Sequence, residues 1–201
     1  MFALRNSTTW IVLAMALTMS ACATKVARMD VNEVKDLTGN WNDTDSRLVS
    51  EEMIRDVLSR PWVGEFTRGH SKPPAVIVGE IRNMSHEHIN VVTFVSDMER
   101  ELINSGRVDF VASKTERQDI REERKDQDLN ASEASRKAAG QEQGADYMLK
   151  GTISTILDTE GKKQVRFYQI DLTLISLADN RKAWVGTKKI KKFVEGSSVR
   201  S

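Results

Sequence analysis

Cysteine is nearly absent from this chain. Cys22 stands alone among 201 residues. A lone cysteine excludes an internal disulfide, so in an oxidising compartment the fold must rest on packing. Long apolar runs are missing too. The segment Trp10–Met19 is roughly half of the about 20 apolar residues that a spanning helix needs. Neither sign of charge dominates: 30 Lys+Arg stand against 29 Asp+Glu. That balance excludes a broad electrostatic footprint for nucleic acid or anionic lipid. The motifs of common enzyme classes are also lacking. There is no G-x-S-x-G elbow, phosphate-binding loop, H-E-x-x-H pair or glycine-rich dinucleotide turn. The chain reads as a non-enzyme with no cofactor and no small-molecule substrate. No internal repeat or low-complexity segment interrupts it.

What is present begins at the N-terminus. Residues 1–21 have the three parts of an export signal: a short positive start with Arg5, the apolar run, and the small pair Ser20-Ala21. Cys22 follows at once. Met19-Ser20-Ala21-Cys22 resembles a bacterial lipobox, with Met19 where leucine is usual. That resemblance implies cleavage before Cys22, diacylglycerol on its sulfur and acylation of the new amine. More than one acyl chain gives stable anchoring. Ala23, in place of an aspartate, favours the periplasmic face of an outer membrane. Loss of Arg5 with the signal leaves the two signs of charge balanced. Residues 22–40 then read as the lipidated cysteine and a short tether, 41–195 as one globular domain, and 196–201 as a tail.

Periodicity sets the expected elements. Val49, Met53, Ile54, Val57 and Leu58 share one helical face, with caps offered at Asp43-Thr44-Asp45 and an end at Pro61. Residues 61–74, rich in glycine and proline, read as a loop. Ala75–Ile81 is a buried strand, and Arg82–Ser85 turns the chain. Asn90 opens a helix with the apolar face Val91, Phe94, Val95, Met98 and Leu102, stopped near Gly106. Val108–Val111 is a second strand, completing a parallel βαβ unit. Ser113-x-x-Glu116 is a capping box for a charged helix to about Gln127. Asn130, with the alanines up to Ala139, suggests another helix ending at Gly144. Three alternating strands follow, the first two joined by a hairpin at Thr159–Lys163. The expected order is αβαβααβββ. The fold class is α+β or α/β, a single domain with a mixed sheet of about five strands flanked by helices.

Few residues invite a functional reading. His86-x-His88 lacks further ligands and reads as a solvated turn, so no metal is expected. Trp62 and Phe66 are either folded onto the core or an exposed anchor for a partner. The run Glu116–Gln127 mixes both signs. It reads as a salt-bridged exposed helix, with Arg117, Arg121 and Arg124 as candidate partner contacts. The lysines of Lys188–Lys192 either guard an edge strand or touch anionic lipid or peptidoglycan.

A set of short segments in fixed order carries a family resemblance. They are Arg60-Pro61-Trp62, Val76-Ile77-Val78-Gly79, Ile81–Ile89, Glu101–Gly106, Ile120–Gln127, Gly144–Gly151 and Trp184-Val185-Gly186. From Trp41 to about Lys192 the chain resembles the penicillin-binding protein activator LpoB family. The resemblance implies an outer-membrane lipoprotein that binds a class A penicillin-binding protein and raises its peptidoglycan-synthesising activity. It implies a fold related to the N-terminal domain of TolB and to part of CsgG. An envelope assembly or secretion component related to those two is the alternative. The family's best-known members carry a long proline-rich linker, whereas no proline precedes Trp41 here.

Overall fold

The computed structural model describes residues 26–137, 140 and 142–196. The signal, the lipobox with Cys22, residues 197–201 of the tail, and Ala138 and Ala139 lie outside the described residues. The chain divides into two units, Met1–Val34 and Lys35–Ser201. In the first, a turn at Val31-Asn32 is closed by the Asn32 N–H donating to Asp30 Oδ1 at 2.7 Å.

The second unit opens with helix α1 (Asp43–Ser59). Its cap is Asn42, one residue before the expected cluster. Asn42 Oδ1 accepts from the Asp45 N–H at 3.0 Å, and Asp45 Oδ2 accepts from the Asn42 N–H at 3.1 Å. The apolar stripe lies inward as its spacing requires, with Val49, Met53, Ile54, Val57 and Leu58 all buried. Helix α2 (Trp62–His70) corrects the loop expected over 61–74. Pro61 ends one helix and starts the next. It sits at the N-cap with φ −62°, the value its ring imposes and a helix start accepts.

Strand β1 (Ala75–Met84) runs three residues beyond the expected end. Helix α3 (Val91–Asn104) buries Phe94, Met98 and Leu102 almost completely. Each such side chain contributes about 1.5–3 kcal/mol relative to exposure. Strand β2 shrinks to Asp109–Phe110, parallel to the start of β1. Helix α4 (Lys114–Asn130) has its expected capping box between Ser113 and Glu116. The helix expected after Asn130 is absent: among the described residues 131–146 there are turns and no helix or strand. Its alanines offer too little apolar area to offset the ordering of a separate helix.

Strands β3 (Tyr147–Glu160), β4 (Lys163–Ser176) and β5 (Lys182–Glu195) form an antiparallel meander. Gly161-Lys162 is the two-residue turn between the first two. The sheet order is β2-β1-β3-β4-β5, with β1 parallel to both of its neighbours. The sheet is therefore mixed and five-stranded, as expected, and the element order among the described residues is ααβαβαβββ. Along β4, Tyr168, Ile170, Leu172 and Leu174 are buried while Phe167, Gln169, Asp171 and Thr173 are only half-buried. That alternation belongs to a sheet covered by helices on one face. Helices α1 and α3 pack on each other, α1 on β5 and α3 on β1.

Part of the stretch read as tether belongs to this folded unit. Lys192 Nζ donates to Asp36 Oδ1 at 2.8 Å, to Asn40 O at 3.2 Å and to Asp45 Oδ2 at 2.5 Å. Trp41 packs edge-on to Phe94 and Tyr168, with centroids 6.1 and 5.7 Å away.

Candidate functional site

Helix α4 is built unlike the other long helices. Its sequence is almost wholly charged, and none of its residues is buried. Arg117, Arg121 and Arg124 follow at four and three residues, so they share one face. The expectation of ion pairs along the helix is corrected here: among the described residues, Arg121 and Arg124 pair off the helix, with Glu142. Arg121 Nε and Nη2 reach the two Glu142 oxygens at 2.9 and 2.8 Å, a bidentate fork. Arg124 Nη1 donates to Glu142 Oε1 at 3.2 Å. The hydrogen bonds from Arg121 hold the Glu142 carboxyl below the usual carboxylate range, and the charges of Arg121, Arg124 and Arg117 act in the same direction. Arg117 Nε is shut off from solvent and has no hydrogen-bond partner among the described residues. An open hollow of about 400 Å³ adjoins the fork, lined by Arg121, Arg124, Lys125, Asp128, Gly140 and Glu142.

The aromatic candidates separate. Trp62 is 6% exposed, and its Nε1 donates to Val57 O at 2.7 Å. Its ring meets Tyr147 edge-on at 4.8 Å. Of the two readings for Trp62, the structure takes the packed one. Phe66 lies one helical turn on and is half-buried, stacked on the exposed His70 at 4.0 Å and edge-on to Tyr147 at 5.7 Å. Phe66, His70, Tyr147 and Arg181 line a groove of about 500 Å³.

The lysine run on β5 also divides. Lys188 binds Glu52, and Lys192 binds Asp36 and Asp45, so these two serve the helix-covered face. Lys189 and Lys191 are exposed on the other face of this edge strand, where charge opposes unwanted strand pairing.

Between the two histidines of the turn lies a charged residue that local pattern does not single out. Glu87 accepts from the Trp41 N–H at 3.0 Å, Arg166 Nη1 at 2.9 Å and the Tyr168 hydroxyl at 2.6 Å. Burial pushes its carboxyl up, but the hydrogen bonds from Tyr168, the Trp41 N–H and Arg166 outweigh that and hold it below the usual range. Burial and the neighbouring Glu87 push the Tyr168 hydroxyl well up. His86 Nδ1 lies 2.9 Å from Thr155 Oγ1. No group of three or more His, Cys, Asp or Glu side chains among the described residues is placed to hold a metal. Glu87 and Glu142 were both missed from sequence, because each meets its arginine partners across long stretches of chain.

A family model described as peptidoglycan-synthase activator LpoB matches residues 45–190. No curated protein sequence matches the chain. Among solved structures, the C-terminal domain of LpoB from Escherichia coli is similar at 15% identity. That match covers 74% of this chain and 99% of that one, with a TM-score of 0.42. The solution structure of E. coli LpoB matches at 14% identity over 89% of this chain and 84% of that one, TM-score 0.41. Lipoprotein GNA1162 from Neisseria meningitidis matches at 11% identity over 63% and 88%, TM-score 0.41.

Proposed function

The chain belongs to the LpoB family of peptidoglycan-synthase activators, and on that premise we propose that it binds and activates a class A penicillin-binding protein. The carrying observation is the extent of the family match, residues 45–190, which runs from the first turn of α1 into β5 and so spans most of the folded unit. The family acts by regulation rather than catalysis. Activation then has a thermodynamic requirement: the domain must bind the active conformation of its partner more tightly than the inactive one.

In this reading Cys22 is lipidated and holds the protein at the periplasmic face of the outer membrane. The folded unit is tied down from Asp36 onward. Residues 23–35, fully extended, span about 45 Å. The partner must therefore come within that distance, plus the breadth of the folded unit, of the lipid surface. The candidate contacts are the arginine face of α4, with Arg117, Arg121 and Arg124, and the groove rim at Phe66. Trp62 supports that rim from beneath through Tyr147.

The test is glycan polymerisation by the cognate class A synthase, with and without the full lipidated chain in detergent. A rise in rate is expected. An unchanged rate across saturating amounts of the chain sinks the proposal.

A further inference from the structure

We propose that the Arg117–Arg121–Arg124 face of α4 is a carboxylate receptor for an acidic segment of a protein partner. Glu142 is its resident intramolecular occupant, exchanged when that segment docks. The proposal rests on the functional reading above only in supposing that the protein acts by binding a partner.

The chemistry of the occupant is already displayed. A carboxylate sits on Arg121 at 2.9 and 2.8 Å and on Arg124 at 3.2 Å. The planar guanidinium fork matches a carboxylate in two parallel hydrogen bonds. Supply and demand do not balance, however. Two guanidinium groups hold one carboxylate, a third, that of Arg117, acts on it through charge alone, and Arg117 Nε is withdrawn from water with nothing to donate to among the described residues. A shielded donor without a partner is costly, and a second carboxylate would satisfy it. The adjoining hollow of about 400 Å³ brings Lys125 to the same place and gives an incoming side chain room.

Charge decides for an acidic peptide. In the hollow Arg121, Arg124 and Lys125 outnumber Glu142 and Asp128, so a positive surplus remains with Glu142 in place. Asp128 in the hollow disfavours a compact dianion and tolerates single carboxylates spaced along a chain.

Exchange is also structurally cheap. Helix α4 buries none of its residues, so its face is not needed to close the core. Glu142 lies in the stretch 131–146, whose described residues carry no helix or strand, so it can leave without breaking a sheet ladder. The Arg121 side chain is half-exposed, and exposed ion pairs are weak competitors. Glu142 therefore acts as a mild internal inhibitor. It keeps the fork ordered and lowers affinity for a partner by the fraction of time it occupies the site.

The probe is a fluorescein-labelled octapeptide of alternating glutamate and serine, titrated by anisotropy against the full chain in detergent at low salt. Wild type should bind it, and added salt should weaken binding. Glu142→Gln should bind about threefold tighter. Arg121→Gln combined with Arg124→Gln should bind at least about tenfold more weakly. Arg117→Gln is the sharper variant, because Arg117 makes no hydrogen bond to Glu142. It should weaken peptide binding without lowering the melting temperature. Absence of binding by wild type, no gain in Glu142→Gln, or full binding by the arginine variants each overturns the proposal. The assay contains no synthase, so intact peptide binding with failed synthase activation counts against the functional reading alone.

Discussion

Glu87 and Arg166 are 79 residues apart in sequence and meet at 2.9 Å, with 13% and 10% of their side chains exposed. The pair joins the turn after β1 to the first part of β4, and through the Trp41 N–H it also fixes the entry of the chain into α1. Glu87→Gln keeps the shape and removes the charge, leaving Arg166 nearly buried without a counter-ion. Breaking a buried pair in this way costs about 3 kcal/mol. The pH dependence has a definite sign. The folded-state pKa of Glu87 lies below its ordinary value of 4.5, so its contribution is full above that value and is lost as pH falls through the folded pKa. Urea unfolding between pH 7 and pH 3 should show wild type losing its advantage over Glu87→Gln on the acid side. Parallel curves down to pH 3 would refute this.

Gly39 carries the chain past the end of β5 at φ +72°, and a Cβ there would lie 2.3 Å from Val194 Cγ2. Gly106 has a similar φ of +61° but open space around it. Alanine at Gly106 pays for the left-handed backbone alone, about 1 kcal/mol. Alanine at Gly39 must also displace Val194 and should cost roughly twice as much. Denaturation midpoints of the two variants at equal m-value check the difference. Equal losses would mean that the segment before α1 yields freely.

The sequence was most legible where burial imposes a period. The stripes of α1 and α3 and the alternation in β4 each report one covered face, and the βαβ unit followed from the order of elements. Legibility failed where chain punctuation has two meanings. Pro61 stops α1 and equally starts α2, so a nine-residue helix containing Gly64 and Gly69 was hidden in a presumed loop. After Asn130 the cap-like residue and alanines imitate a helix, while Asn130 in fact hydrogen-bonds back to Asp126 within α4. The arginines of α4 were visible as candidates, but their occupant was not. Glu142 lies 21 residues beyond Arg121, and no local spacing encodes that meeting.

Trp62 and Phe66 should part company under mutation. Trp62→Ala removes a buried indole that also donates to Val57 O, and should cost about 3–5 kcal/mol. Phe66→Ala removes a half-buried ring at a groove rim and should cost about 1 kcal/mol. Trp62→Phe, assayed well below its melting temperature, should activate the synthase as wild type does. If Trp62→Phe abolishes activation while its unfolding curve matches wild type, the indole acts as a partner contact rather than as packing.

Lys188 and Lys192 look equivalent in the run Lys188-Lys189-Ile190-Lys191-Lys192, yet their surroundings differ. Glu52, the partner of Lys188, is 57% exposed, and Lys188→Met should change stability by less than about 1 kcal/mol. Lys192 is 10% exposed and holds Asp36, Asp45 and Asn40 O together, so Lys192→Met should cost about 2–3 kcal/mol. Burial pushes the Lys192 ammonium down, but the hydrogen bonds it donates to Asp36 and Asp45 outweigh that and raise its pKa above the ordinary 10.5. The hydrogen bond from Lys192 is the main cause that holds Asp36 below its ordinary 3.8. The Lys192 contribution is complete below 10.5 and the Asp36 contribution above 3.8, so the penalty of Lys192→Met should be greatest between those limits. It should shrink as pH falls through the folded pKa of Asp36. Melting temperatures of wild type, Lys188→Met and Lys192→Met from pH 3 to pH 8 measure this directly. Equal penalties for the two lysines would show that the strap from Asp36 to Trp41 is not held by Lys192.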